Sequence, residues 1–175
     1  MTYRNGRQIN TAGSVDYAIN AGDTGARWYD GPSSMSAAAT FDWNYRGALG
    51  NTGISYARSE ITVAEIRDGT TNTYMLGEKY LNPDNYTDGW GTDDDFGMYE
   101  GAAYDTYRWC HPDYYPMQDT AGSQLPNRFG SAHSAGLNMT FCDGSVRFIS
   151  YSIDRDIHAR LGHRASGEVI DASQF

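Results

Sequence analysis

Residues 129–150, FGSAHSAGLNMTFCDGSVRFIS, form the stretch whose reading decides the fold. Side chains alternate from Leu137 to Phe141, an Asp143-Gly144 pair follows, and alternation resumes through Val146, Phe148 and Ser150. Asp-Gly between two such runs predicts a β-hairpin with a two-residue type I′ turn. That turn needs φ > 0 at both central residues, which Asp and Gly tolerate best. The expected ribbon carries Leu137, Met139 and Phe141 on its apolar face, with Val146 and Phe148 opposite them. A two-stranded ribbon is marginal in water, so other strands or a helix must cover that face.

Downstream, Ile153, Ile157 and Leu161 recur every four residues in SIDRDIHARLGHR, 152–164. Ser152 or Asp154 can cap the start, acidic groups lie in the first turn, and Arg and His lie in the last. This predicts a short helix on the sheet, ending near Gly162 or Gly167, with Val169 and Ile170 as a candidate edge strand. Upstream, residues 73–81 read as a strand with Tyr74, Leu76 and Glu78 on one face and Met75, Gly77 and Lys79 on the other. A carboxylate beside Leu76 sits either at the sheet margin or against an Arg, a loop amide or a metal. Thr62 followed by Glu65 is a capping-box pattern for one helical turn. Residues 14–19 read as a short strand, 37–39 as a helical turn of small residues, and Phe41, Trp43 and Tyr45 as a further alternating strand. Trp28 and Tyr29 belong to a long excursion whose aromatics tuck against the sheet. The fold class is α+β: a mainly antiparallel sheet with long ordered loops and one short C-terminal helix.

The chain has 175 residues, the size of one domain, with 1–13 a polar N-terminal extension or truncation point. Twenty Gly and 14 Tyr, with a single lysine (Lys79) against 12 Arg, suit a protein of sheet and loops packed by amphipathic aromatics. The net charge of −9 lacks any basic cluster, which argues against a nucleic-acid partner. No apolar run approaches the roughly 20 residues that span a bilayer. Residues 82–127 form a long stretch rich in Asp, Gly and aromatics; a loop region of this length is functional or disordered, and its aromatics favour order.

His133, nine intervening residues and Asp143-Gly144 resemble the H-x9-DG domain of prepilin-type proteins from planctomycete-type bacteria. IRDGTTNTYMLGEK (66–79) is similar to that family's I-x-D-G-T-S-N-T…G-E-(K/R) segment, and VDYAINAG (15–22) to its D-Y-A-x-N-x-G segment. FCDGSVRFIS, the short helix and the SGEV at 166–169 fit as well. The resemblance implies an extracellular or cell-surface, pseudopilin-like globular region lacking the family's N-terminal anchoring helix, the only part that would meet a membrane. It further implies self-association, or association with related subunits, into a filament or layer.

The structural residues of this pattern are His133, Asp143, Gly144, Asp68, Gly69, Asn72, Gly77 and Glu78. Asp68 and Asp143 both precede Gly and are expected to close turns by bonding nearby amides. His133 and Asp143 flank an extended strand and so stand roughly 25 to 30 Å apart, too far for an acid–base pair. His133 is therefore expected to anchor the loop before the strand, with Glu78 as its candidate partner. No G-x-S-x-G elbow and no zinc spacing is present, and the chain reads as non-enzymatic. Asp93, Asp94 and Asp95, with Asp84 and Asp88 in the same glycine-rich acidic loop, are a candidate calcium site, weighed against a merely solvated acidic loop. Trp90, Tyr99, Tyr107 and Trp109 are candidate carbohydrate-binding aromatics, the basis of an alternative reading as a binding module. Cys110 and Cys142 form either one disulfide or two buried thiols. Asn85 and Asn138 begin N-x-(S/T) triplets and are candidate glycosylation sites.

Overall fold

The computed structural model describes residues 13–25, 32–42, 51–92, 94–95, 97–99 and 101–175. The short run before Asn20 becomes β1 (Tyr17–Asn20), the run after Asp68-Gly69 becomes β2 (Tyr74–Glu78), and the loop region contributes β3 (Tyr107–Arg108) and β4 (Met117–Gln118). β5 (Gly130–Ser131), β6 (Gly136–Phe141) and β7 (Val146–Ser150) follow. The main sheet has the order β3-β1-β2-β6-β7, antiparallel except between β1 and β3, while β4 and β5 form a parallel pair. A four-residue helix α1 (Met35–Ala38) and the longer α2 (Arg155–Gly162) complete the α+β architecture anticipated from the alternation.

The hairpin forms with a different turn, and the difference moves half its side chains. Gly144 has φ 85°, whereas Asp143 is not among the residues with positive φ, so the turn is not type I′. The Gly144 amide donates to Phe141 O at 2.9 Å and the Phe141 amide to Ser145 O at 2.8 Å. This is a three-residue loop, a tight turn followed by a left-handed glycine. The register becomes Thr140↔Val146, Met139↔Arg147, Asn138↔Phe148 and Leu137↔Ile149. A slip of one residue exchanges the faces of a strand. Ile149 therefore joins Leu137 and Met139 in the core, and Val146 and Phe148 point outward at 64% and 53% exposure. Arg147 takes the remaining inward place at the sheet margin, its guanidinium 4.2 Å above the Phe141 ring.

A second register shift, between Tyr74 and Leu76, corrects the face assignment of β2. Tyr74 pairs with Phe141 and Gly77 with Met139 on the core side, while Leu76 pairs with Thr140 on the other. The bulge at Met75 lets Tyr74 and Gly77 share a face despite their odd spacing. α2 closes the core: Asp154 caps it by accepting from the amides of Asp156 and Ile157, and Ile157 and Leu161 pack against Leu137, Met139, Phe141 and Ile149. Burying these two aliphatic side chains contributes roughly 3 to 6 kcal/mol before ordering costs. Asn20, fully buried, ties the layers together, since its Nδ2 donates to Tyr74 O and Gly162 O and its Oδ1 accepts from the Gly22 amide.

The turn at Val63–Glu65 forms with the Thr62–Glu65 capping box. Val169 and Ile170 form no strand; Val169 is exposed, and a short 3-10 turn, Ala172–Gln174, follows. Cys110 and Cys142 are both free thiols, so the bridge is not formed. Cys110 is buried beside Asn20 and Gly162, while Cys142 points at Tyr74 O. Burial pushes the Cys110 thiol well up, and burial with the Asp143 charge pushes Cys142 to about 11. Trp28, Tyr29, Trp43, Tyr45, Asp93 and the 1–12 part of the N-terminal extension lie outside the described residues.

Candidate functional site

Several of the residues singled out in the sequence hold the two corners of the sheet. Asp68 does not close its own turn. Its carboxylate accepts from the Ser166 amide at 2.6 Å, the Ser166 hydroxyl at 2.9 Å and the Gly167 amide at 2.9 Å, almost 100 residues away. Asn72 Nδ2 donates to Asp68 O, and Arg164 from the same C-terminal segment donates to Asn51 O and Gly53 O. Asp143 acts locally, accepting from the Ser145 amide and hydroxyl, and these bonds hold its carboxyl below the usual range. Gly77 lies under Met139, where a Cβ would fall 2.0 Å from Met139 Sδ.

At the other end of β2 the chain opens a cleft of about 700 Å³, within the range of small-molecule sites. Its floor is Glu78, Lys79 and Leu81; its walls are Ser14 and Asp16 before β1, Asp119 after β4, Ser131 at the end of β5, and Ala132 and His133 in the loop to β6. Its roof is the turn at 82–91. Asn82 caps the short 3-10 turn Pro83–Asn85 by accepting from the Asp84 amide. Asp88 Oδ1 then accepts from Asn85 Nδ2 and from the Trp90 amide at 3.0 Å. Such local side-chain to backbone bonds are what Asn and Asp offer a turn. They place the Trp90 indole, 71% exposed, on the rim. Tyr86 is held from below, its hydroxyl donating to Asp119 Oδ2 while Asp119 Oδ1 accepts from the Leu81 amide. Burial and the Asp119 carboxylate push the Tyr86 phenol well above its usual range.

The charge of the cleft is one-sided. Five carboxylates line it, Asp16, Glu78, Asp88, Asp94 and Asp119, against one lysine. That lysine, Lys79, has a side chain with 0% exposure, and its ammonium is consumed by Asp94 Oδ1 at 2.8 Å and Asp105 O at 3.3 Å. A buried ammonium needs such pairing to be tolerated. Glu78 Oε2 accepts from the Asn138 amide at 2.6 Å and from Asn138 Nδ2 at 3.2 Å, and Oε1 stands 3.4 Å from His133 Nε2.

Ser131, His133 and Glu78 thus meet on one wall, the residue types of a hydrolytic triad, but their bonds run the wrong way for one. The Ser131 hydroxyl donates to Gly136 O at 3.1 Å, shares a bond with Tyr151 OH and accepts from the His133 backbone amide. A nucleophile needs its proton directed at the imidazole. Here the imidazole faces Glu78 and the hydroxyl faces a carbonyl.

The four candidate aromatics do not converge. Trp90 alone lines the cleft. Trp109 is core, 4% exposed and edge-on to Tyr104, Tyr107 accepts a bond from Ser55, and Tyr99 is 93% exposed elsewhere. Asp94 is committed to Lys79, and among the described residues no group of three or more His, Cys, Asp or Glu could hold a metal ion. The amides of Asn85 and Asn138 are engaged with Asp88 and Glu78. Asp16, Asp119 and Tyr86 were not among the candidate site residues, and Asp88 was considered only as part of the acidic calcium loop. No short-range pattern links them, since Asp16, Asp88 and Asp119 come from three segments distant in sequence.

The family model SBP_bac_10, described as a protein of unknown function (DUF1559), matches residues 7–156. The chain belongs to this family. Searches of curated proteins and of solved structures each found no match. The DUF1559 match runs from before β1 into the first turn of α2, so it takes in every strand and all the lining of the cleft. The Asp68 clamp is divided by it: Asp68 lies inside the matched region and Ser166 and Gly167 beyond it. Among the described residues no helix of this DUF1559 chain is long and apolar enough to cross a membrane.

Proposed function

We propose that this DUF1559 domain is a non-enzymatic binding module of the cell exterior that seats a hydroxyl-rich, carbohydrate-like ligand in the cleft beneath Trp90. One observation carries the reading: an exposed indole on the rim of a cleft of about 700 Å³ whose walls present carboxylates and amides. An aromatic face packs on a sugar ring while short polar groups bond its hydroxyls. The orientation of the Ser131 hydroxyl away from His133 supports binding over hydrolysis. The extracellular or cell-surface setting rests on the H-x9-DG resemblance. A glycan panel read by thermal shift and tryptophan fluorescence tests the proposal: a binder should raise Tm, and Trp90→Ala should abolish the rise. A binder indifferent to Trp90→Ala, or no binder on the panel, sinks it.

A second reading, a pseudopilin-like subunit of a surface filament or layer, is favoured by a different observation. β7 is the edge strand of the main sheet and carries the exposed pair Val146 and Phe148 on its outer face. Exposed sheet edges with outward apolar side chains invite pairing with another chain. On this reading the protein sediments as higher oligomers and Phe148→Lys reduces them to monomers.

A further inference from the structure

We infer that the cleft selects an ammonium-bearing ligand, such as an amino sugar oligomer, over its neutral counterpart; this rests on the cleft being the binding site. Two arrangements point to a cation. The first is the separation of charges within the cleft. The one lysine in its lining is wholly enclosed and spent on Asp94 and on Asp105 O, so among the described residues no lysine or arginine of the lining faces an incoming ligand. Asp16 is exposed, lines the cleft, and makes no side-chain bond among the described residues. Asp88 uses only Oδ1, for Asn85 and Trp90, which leaves Oδ2 to a ligand.

The second arrangement is the turn Asp88-Gly89-Trp90. The bond from the Trp90 amide to Asp88 Oδ1 fixes a carboxylate two residues from an indole that is 71% exposed, both lining the same cleft. A carboxylate and the face of a tryptophan are the two groups that favour an organic cation, one by charge and hydrogen bonding and the other through the ring quadrupole. An anion would meet five carboxylates and, in the described lining, no lysine or arginine that is not already enclosed in an ion pair. A neutral sugar would stack on Trp90 and donate hydroxyl bonds to Asp16 and the free oxygen of Asp88, without adding charge to them. An ammonium makes those bonds charge-assisted, which roughly doubles their strength.

Calorimetric titration with a matched pair of probes tests this, the glucosamine trimer and the N-acetylglucosamine trimer, which differ in whether each ring carries a protonated amine. The amine trimer should bind at least tenfold more tightly at pH 6. Asp88→Asn and Asp16→Asn should each weaken it several-fold, and Trp90→Ala should weaken it further. Glu60→Gln, which removes one exposed carboxylate outside the cleft, should leave its affinity unchanged. Equal affinity for the two trimers overturns the inference and leaves the cleft reading standing; no binding of either overturns the inference, and the glycan panel then decides the cleft reading. If Glu60→Gln weakens binding as much as Asp88→Asn, the attraction is to the net charge of the chain, and the inference fails.

Discussion

The chain contains two Asp-Gly pairs that look alike in sequence, and the fold uses them in opposite ways. Asp143-Gly144 is a local device: the carboxylate bonds Ser145 two residues on, and the left-handed glycine closes the hairpin. Asp68-Gly69 is a long-range device: the carboxylate holds Ser166 and Gly167, and through them the segment that leaves α2. The two corners also touch, since the Asp143 amide donates to Thr70 O and the Cys142 amide to Thr73 O. The hairpin tip is thus docked on the turn that Asp68 organises. An aspartate before a glycine therefore does not disclose whether its carboxylate serves the turn or a partner far along the chain.

The comparison breaks most visibly at the two carboxylates. Asp68→Ala should cost about 3 kcal/mol, because three charge-assisted bonds are lost and the partly buried Ser166 amide is left unpaired. Asp143→Ala should cost a small fraction of that, its partners lying in an exposed turn that water can serve. Urea unfolding gives both values, and hydrogen exchange at Ser166 and Gly167 should accelerate only in Asp68→Ala. Equal losses would mean that Asp68 is a turn residue after all.

The glycines sharpen the contrast with a smaller effect. Gly69 stands at φ 95° and ψ 140°, a region nearly closed to side chains, and a Cβ there would meet nothing nearer than 3.7 Å, so any penalty is conformational. Gly69→Ala should cost about 2 kcal/mol. Gly144, at φ 85° with open space around it, sits near the left-handed well, and Gly144→Ala should cost about 1 kcal/mol. Thermal melts in which the order is reversed would place the tighter constraint at the hairpin.

The last effect is absent at neutral pH and belongs to the core shared by both corners. His158 on α2 is fully buried against Tyr74 and Phe129, neither ring nitrogen has a hydrogen-bond partner, and burial pushes its pKa down to about 3. Above about pH 6.5 the ring is neutral in both the folded and unfolded chain and pH has no leverage through it. Below that, the unfolded chain takes up a proton that the folded chain refuses. Stability therefore falls as pH drops from 6.5 toward 3, by about 1 kcal/mol over the first unit. Denaturation at pH 7.5, 6.5 and 5.5 should show this slope in the wild type, reduced in His158→Leu. An unchanged slope in the variant would assign the acid sensitivity to other groups.

Much of the fold was legible because it depends on periodicity and short-range chemistry. The strand of Leu137, Met139 and Phe141, the four-residue spacing of α2 and the Thr62–Glu65 capping box each follow from side chains close in sequence. The faces of β7 and β2 were not legible because each depends on the parity of one residue, in a three-residue loop and in a bulge, and Asp-Gly is compatible with either loop length. Of the candidate site, Glu78 stood out as a carboxylate where alternation expects an apolar group, and Trp90 as an aromatic in an acidic loop. Trp109 was indistinguishable from Trp90 in sequence, yet one is core and the other rim.

By itself the sequence determined that this chain makes an antiparallel sheet with a C-terminal helix. Backbone pairing and amphipathic burial are read out by side-chain periods of two and about 3.6 that any few residues display. Only the tertiary structure decided which carboxylates are spent and which remain open. Lys79 meets Asp94, Asp68 meets Ser166, and Asp16 and Asp88 come to one cleft because the sheet order β3-β1-β2-β6-β7 brings distant segments together. A charge has no intrinsic partner, and the geometry of the fold supplies or withholds it.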